Sequence, residues 1–283
     1  MPMTKQPPET SQSSANNVPR ARERRQRVQS AETGMVVLKG LSRLGGRASL
    51  TALAAHVAES PAKVHRYLVS LMEEGLVSQD SGSQHYFLGA EAIQIGLAAM
   101  RQVDPIRVAE PALIRLREEL EVTCFVAVMG NKGPTIVRFE EPGLPVTVNV
   151  RVGSVLSMLW SATGRTFLGL LHESRVHALA AEEFASAPPE MQAQLDASDP
   201  IGQLQREVQA ARCAVVKDTY LRGISAVAAP LYDYTGRVCA VLTALGATGG
   251  FDPSVDGRIA IAVRREAHAA STLLGYTGEA PPA

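Results

Sequence analysis

Cysteine, tryptophan and long apolar runs are all scarce in this sequence of 283 residues. The three cysteines, Cys124, Cys213 and Cys239, are odd in number and far apart, which fits neither a disulfide framework nor a CxxC metal or redox motif. We expect them to be buried as small apolar residues, with a redox role as the alternative. No apolar run reaches the length of about 18 residues that a membrane-spanning helix needs. Because the N-terminus is also polar, without a signal-peptide pattern, the sequence predicts a cytoplasmic protein with no membrane partner.

Net charge is also absent, with 28 basic and 28 acidic residues, but the balance is uneven along the chain. Residues 1–88 contain 11 Lys and Arg against 7 Asp and Glu, which leaves 17 against 21 in the other 195 residues. Five arginines, Arg24 and Arg25 among them, fall between positions 20 and 27. Residues 1–29 lack apolar periodicity and are predicted to be disordered. They are either a solvated tail or a basic arm that lies along nucleic acid.

The chain has enough length and apolar content for two folded domains.

Residues 30–89 have the pattern of a small DNA-binding domain. The predicted elements are helices at 31–44, 49–58 and 61 to about 74, followed by strands at 76–78 and 84–88. Ser49 and Ser60 are placed to cap the second and third helices, and Pro61 suits a first helical turn. Two short helices joined by a tight turn, followed by a hairpin, predict a winged helix-turn-helix.

The third helix carries the candidate DNA-binding residues. Val64, Leu68 and Leu71 form its apolar side, so the polar residues near its start are left on the outer face. A helix of this kind enters the major groove with its first two turns nearest the bases. Lys63 and Arg66 are expected to contact bases or phosphates of double-stranded operator DNA. The full predicted set is Ser60, Ala62, Lys63, His65, Arg66, Tyr67 and, from the arm, Arg24 and Arg25. Such domains also serve as protein contacts, so a sensing or scaffold protein that binds another protein is the alternative.

These motifs resemble a known family. The runs SLTALA at 49–54, SPAKVHRYL at 60–68, EGLV at 74–77 and YFLG at 86–89 are similar to the DNA-binding domain of the IclR family of bacterial transcription factors. The resemblance extends from about residue 30 to 275. It implies a linker helix at 90–103 and a GAF-like α+β effector-binding domain at 104–275, followed by a flexible tail at 276–283. It also implies a regulator, either repressor or activator, whose operator binding responds to a small metabolite.

The pattern of the second domain supports that α+β class. Strands are predicted at 122–129, 135–140, 146–152, 223–232 and 237–247, helices near 161–171, 173–183 and 201–212, and a long last helix from Asp252 and Pro253. Strands, then helices, then strands and a helix imply antiparallel pairing rather than a parallel α/β sheet.

Motifs for catalysis or metal binding are missing. His172 and His177 are five residues apart, which places them off a common helical face and excludes the HExxH zinc motif. Glu140 and Glu141 are adjacent on a predicted strand and point to opposite faces. Residues 90–275 contain no GxSxG, SxxK or P-loop sequence. We therefore expect no enzyme activity, no cofactor and no metal.

The predicted effector site is the start of the helix near 161–171. Ser161 is placed to cap this helix, and the first-turn amides of Ala162, Thr163 and Gly164 would then form an anion site. Trp160 is either a wall for an aromatic ring or an ordinary core residue. The family resemblance adds further pocket residues: Leu156, Asp218, Ile224, Ala226, Thr243 and Leu245. The expected ligand is a small anion, a carboxylic or aromatic acid.

The last expectation is self-association. One winged helix reads too few base pairs for specific binding, so the sequence predicts a homodimer or a dimer of dimers on two half-sites. The contact is predicted on the first helix and on the linker helix, where Ile93, Leu97 and Met100 form an apolar stripe. Packing of this stripe onto its own domain is the alternative.

Overall fold

The structure is a computed structural model that describes residues 28–143 and 150–278. The chain divides into two compact units between Arg101 and Gln102. The predicted basic arm, with Arg24 and Arg25, and most of the predicted tail lie outside the described residues. Within the described ranges, no helix is long and apolar enough to cross a membrane.

The first unit is a winged helix-turn-helix, as the sequence predicts. Its elements are α1 (Gln29–Arg43), β1 (Arg47–Ala48), α2 (Leu50–His56), α3 (Pro61–Glu73), β2 (Val77–Gln79), β3 (Tyr86–Leu88) and α4 (Ala90–Arg101). The three strands form an antiparallel sheet of order β1-β3-β2, and the hairpin of β2 and β3 is called the wing below. Strand β1 was not predicted, because two residues are too few to display a periodicity.

Both predicted serine caps are present in this unit. The side chain of Ser49 accepts a hydrogen bond from the amide of Ala52 at 3.2 Å, and that of Ser60 accepts from the amide of Lys63 at 3.4 Å. Each bond satisfies an amide that has no partner inside the helix. The helices enclose a small core of fully buried side chains: Val37, Leu41, Leu53, Val64 and Leu68.

The second unit is an α+β domain. Its elements are α5 (Pro105–Leu120), β4 (Thr123–Gly130), β5 (Gly133–Glu140), α6 (Ala162–Leu170), α7 (Ser174–Ser186), α8 (Pro189–Gln192), α9 (Pro200–Ala211), β6 (Ala214–Lys217), β7 (Ile224–Tyr232), β8 (Val238–Ala247) and α10 (Arg258–Leu273). The strands form one antiparallel sheet of order β5-β4-β8-β7-β6. The predicted fold class is therefore confirmed.

Successive side chains along the strands alternate between the two faces of this sheet, and each face has its own hydrophobic core. Phe125 and Ala127 of β4 belong to the core beneath α6, α7 and α9, whereas Cys124 and Val126 belong to the core beneath α5 and α10. Successive side chains of a strand point to opposite faces, so a strand with a core on each face is apolar along most of its length, as β4 is from Cys124 to Met129. The sheet is consequently covered by helices on both sides.

The predicted elements and the structure differ at several places in the second unit. The last helix was expected to begin at Asp252, but it begins at Arg258, because Asp252 accepts a hydrogen bond from the amide of Ser254 at 3.0 Å and closes a turn instead. Strand β6 was missed. The strand predicted at 146–152 falls largely outside the described residues, and its described end, 150–152, is not a strand.

The three cysteines lie within the second unit and form no disulfide; Cys124 and Cys213 are buried as expected, whereas Cys239 is half-buried. Burial raises the pKa of Cys124 to about 12 and that of Cys239 to about 12, and it also raises the pKa of Cys213. The unfolded chain therefore loses its thiol protons near pH 9, whereas the folded chain keeps them to a higher pH. The free energy of unfolding is consequently unaffected by these groups below pH 9 and falls as the pH rises from 9 toward 12.

We expect all three thiols to resist alkylation in the native protein, because the thiolate is the reactive form. Iodoacetamide at pH 8, followed by mass spectrometry, should leave the folded chain unmodified and add three groups in urea. Rapid labelling of any one of them in the folded protein would contradict the burial. Unfolding by urea should also require less denaturant at pH 10.5 than at pH 8.

Candidate functional site

The outer face of α3 holds the predicted DNA-binding residues. Ala62, His65 and Arg66 are exposed, and Lys63 and Tyr67 are half-buried at the sides of the helix. The opposite side of α3 packs through Val64, Leu68 and Leu71 into the core of the first unit. The helix is thus held by its apolar side and presents its polar first turns outward.

The two cations on this face have different surroundings. The Lys63 ammonium donates to the Glu59 carboxylate at 2.7 Å, one turn earlier. The Arg66 side chain makes no ion pair or hydrogen bond with any residue in the described ranges, so its guanidinium is available to a ligand. Ser60 is exposed, but its hydroxyl oxygen is used to cap the helix.

A hydrogen bond joins α3 to the wing. The Nδ1 atom of His65 lies 3.2 Å from the Tyr86 hydroxyl on β3. At the wing turn, Asp80 accepts from the amide of Ser83 at 2.8 Å, and these hydrogen bonds lower the pKa of the Asp80 carboxyl. Arg47 of β1 donates to the Ser83 hydroxyl at 3.1 Å. Sequence reasoning missed Arg47 because it did not find β1, which brings this exposed cation to the wing.

The second unit contains a small cavity over the face of the sheet that α6 covers, and the empty space in and in front of it, open solvent included, is about 450 Å³. Eight of the ten predicted effector residues line it: Leu156, Trp160, Ala162, Thr163, Ile224, Ala226, Thr243 and Leu245. The described lining contains no charged side chain. The cavity is therefore mainly apolar, and its polar groups are few and local.

The other two predicted residues do not line the cavity but shape its surroundings. A Cβ at Gly164 would lie 2.0 Å from the carbonyl oxygen of Ser157 and 2.5 Å from the Cα of Met158, so only glycine lets the preceding loop pass this close to α6. Asp218 accepts from the amide of Gly223 at 2.7 Å and from the Thr248 hydroxyl at 2.8 Å. It fastens the loop at 218–223 rather than facing the cavity.

The strand register explains which lining residues the sequence could not reveal. Val216, Ala226 and Leu245 form one row across β6, β7 and β8, and Phe125 is paired with Thr243 across β4 and β8. Sequence reasoning missed Val216 and Phe125, because these pairings depend on registers between distant segments. It also missed the remaining lining residues: Val150, Tyr220 and Leu221, with Ser161 recognised only as a cap.

Apart from Tyr220 in the loop at 218–223, the hydroxyl groups of the cavity lie at or beside the start of α6. The Ser161 hydroxyl donates to the carbonyl of Ser157 at 2.5 Å and accepts from the amide of Gly164 at 2.9 Å, which confirms the predicted cap. The hydroxyls of Thr163 and Thr243 lie 2.9 Å apart and are bonded to each other. Within the described ranges, no group of three or more His, Cys, Asp or Glu side chains could hold a metal ion.

Both units match known protein families. Residues 30–81 match the IclR helix-turn-helix domain, and residues 97–272 match the C-terminal domain of the bacterial transcriptional regulator IclR. The "Transcriptional repressor IclR" of Escherichia coli (strain K12) is 26% identical to this chain over 151 residues. That alignment covers 53% of this chain and 55% of the repressor, so the chain matches only about half of the repressor's length.

Solved structures extend the match over most of the chain. Pseudomonas aeruginosa HmgR is 38% identical, with a TM-score of 0.81, and the match covers 89% of this chain and 100% of that one. An IclR homologue from Microbacterium hydrocarbonoxydans, crystallised with 4-hydroxybenzoate, shares the fold at 16% identity and a TM-score of 0.52. That match covers 87% of this chain and 99% of the homologue.

Proposed function

Because the chain belongs to the IclR family of bacterial transcriptional regulators, we propose that it binds operator DNA through α3 and senses a small effector in the cavity of the second unit. The DNA-binding part of this proposal is supported mainly by Arg66, whose exposed guanidinium has no partner among the described residues and lies on a helix whose other side is buried. Phosphate and base contacts of this kind place a recognition helix in the major groove. Whether binding represses or activates depends on where the operator lies relative to the promoter.

The sensing half of the proposal rests on the cavity. It is concave, largely apolar and lined at one end by the first turn of α6, which is the general form of a small-molecule site. The solved homologue with 4-hydroxybenzoate makes aromatic acids a reasonable first class to test. A ligand that controls operator binding must favour one conformation of the protein over another.

We further propose a homodimer or a dimer of dimers that uses α4. This helix has no buried residue, and Ile93, Ile95, Leu97 and Met100 are all exposed on it. Four exposed apolar side chains on one short helix indicate a surface that a second copy covers. Sedimentation equilibrium should give two or four times the chain mass of 30.1 kDa. A species of 30.1 kDa alone, with and without DNA, would exclude self-association.

The proposed function is tested by gel shift on the DNA that flanks the protein's own gene. We expect retardation that weakens steeply with salt, since each neutralised phosphate releases counterions. Titration of an acid that raises the melting temperature should then change operator affinity. The absence of any retarded species at low salt would favour the alternative, in which the winged helix binds another protein.

A further inference from the structure

A histidine on the exposed side of α3 is held by the wing. His65 is exposed, and its Nδ1 atom lies 3.2 Å from the hydroxyl oxygen of Tyr86 on β3. Tyr86 is 3% exposed and belongs to the core of the first unit. Its cross-strand partners are Ala48 on β1 and Gln79 on β2, so its strand is paired on both sides. The imidazole is therefore tied to a well-fixed part of the fold.

This hydrogen bond bears on which ring nitrogen carries the proton. The hydroxyl of Tyr86 has no other hydrogen-bond partner among the described residues. The hydroxyl of a buried tyrosine ordinarily donates to an acceptor, and a neutral imidazole has one accepting nitrogen and one that carries the proton. A hydroxyl that donates to Nδ1 leaves the proton of the neutral ring on Nε2.

The Nε2 atom of His65 has no hydrogen-bond partner or ion pair among the described residues. It lies at the end of the ring farther from Cβ, because Nδ1 is bonded to Cγ and Nε2 is not. His65 and the exposed cation Arg66 both fall in the first two turns of α3, which begins at Pro61. These turns come nearest to the base edges when a helix of this kind enters the major groove. A single N–H donor beside a cation is thus available to a base.

We propose that the Tyr86 hydroxyl positions the His65 ring, and that the Nε2–H of His65 donates to the N7 atom of a purine. This inference rests on the proposed DNA binding through α3 and specifies one base contact of that helix. Guanine and adenine both present N7 as an acceptor in the major groove, whereas cytosine presents a donor, so the contact selects a purine over a cytosine. Tyr86 is a positioning residue, because the ring that it holds in the free protein loses less freedom on binding.

Base analogues test the contact directly. The shortest flanking DNA fragment that the protein retards is synthesised with 7-deazaguanine or 7-deazaadenine at one purine at a time, which replaces N7 by a C–H group. At one purine of each half-site, we expect the analogue to weaken binding of the wild type by about fivefold, as for one lost hydrogen bond, and not to weaken binding of His65→Ala. Purines that Arg66 contacts should stay sensitive in both proteins.

A matched control separates this contact from a general loss of a surface histidine. His65→Ala should lose about fivefold in affinity for the unmodified fragment. His56→Ala makes the same change at an exposed position of α2 and should lose much less. An equal loss in the two variants would overturn the contact.

Removal of one hydroxyl tests the positioning. Tyr86→Phe is expected to lose about threefold in affinity for the unmodified fragment and nothing further on the fragment with the sensitive 7-deazapurine. In a His65→Ala background, Tyr86→Phe should have no effect on DNA affinity, so the two losses are not additive. A merely structural role of the hydroxyl would lower the affinity for both fragments in both backgrounds, together with the melting temperature.

The salt dependence reports the charge of the donor. A neutral N–H releases no counterions, so His65→Ala should leave the slope of log affinity against log salt unchanged at pH 8. A slope that becomes shallower by about one would mean that His65 binds a phosphate as a cation, and the neutral base contact would be overturned.

The results also distinguish this inference from the proposed function. If no flanking DNA is retarded, DNA binding through α3 fails and the base contact fails with it. If the DNA is retarded but no 7-deazapurine distinguishes the wild type from His65→Ala, the base contact is overturned while DNA binding stands. Full affinity of Tyr86→Phe for the unmodified fragment would overturn the positioning role.

Discussion

A double variant, Lys63→Ala with Arg66→Ala, is expected to lose about a hundredfold or more in operator affinity. An arginine paired with a base contributes about 1–3 kcal/mol, and a lysine on a phosphate adds a salt-dependent term. The slope of log affinity against log salt should also become shallower, by about one for each phosphate contact that is lost. Fluorescence anisotropy with labelled operator DNA at several salt concentrations measures both quantities.

Two controls decide whether the effect belongs to α3. Lys39→Ala with Arg43→Ala removes the same charge from α1 and should weaken binding much less. Glu59→Gln removes the carboxylate that pairs with Lys63 at 2.7 Å, so it should strengthen binding. An equal loss in both double variants would mean that only net charge matters, and the assignment of α3 as the recognition helix would fail.

Filling the cavity is expected to abolish effector binding without harming DNA binding. Ala226 is buried on β7 and lines the cavity between its cross-strand neighbours Val216 and Leu245. Ala226→Leu adds three carbon atoms to this space, so a ligand and the new side chain compete for it. We expect the affinity of a bound acid to fall by about a hundredfold, or about 2.7 kcal/mol. The ligand-induced rise in melting temperature should then vanish.

The matched control is Ala247→Leu, which makes the same chemical change at the exposed end of β8. This variant should keep the full thermal shift and the full effect of ligand on operator affinity. The free Ala226→Leu protein should unfold within a few degrees of the wild type, because the added carbons enter an existing space. Retained binding in Ala226→Leu would show that the effector occupies another site.

Local signals in the sequence were sufficient for the first unit. Ser49, Ser60 and Pro61 determine where α2 and α3 begin, because caps act over three or four residues. The apolar spacing of α3 determines that Val64 and Leu68 are buried and that Arg66 is exposed. The same kind of signal placed the start of α6 at Ser161. These predictions depend only on neighbours along the chain.

The composition of the cavity depended on contacts between distant segments. Phe125 is a lining residue because β4 pairs with β8 in one register, and Val216 because β6, whose four residues gave no clear pattern, pairs with β7. Asp218 was predicted to face the effector, but its bonds to Gly223 and Thr248 turn it to the loop.

The sequence by itself indicated the two-unit organisation through its length and apolar content, and it determined the capped helices and the exposed cation Arg66 on α3 through local spacing. Only the tertiary structure decided that the described cavity wall has no charge and that the buried Nε1 of Trp160 has no hydrogen-bond partner among the described residues. The physical reason is that hydrogen-bond satisfaction is a property of the packed interior. Whether a buried donor has a partner depends on which residues strand pairing and helix packing bring beside it.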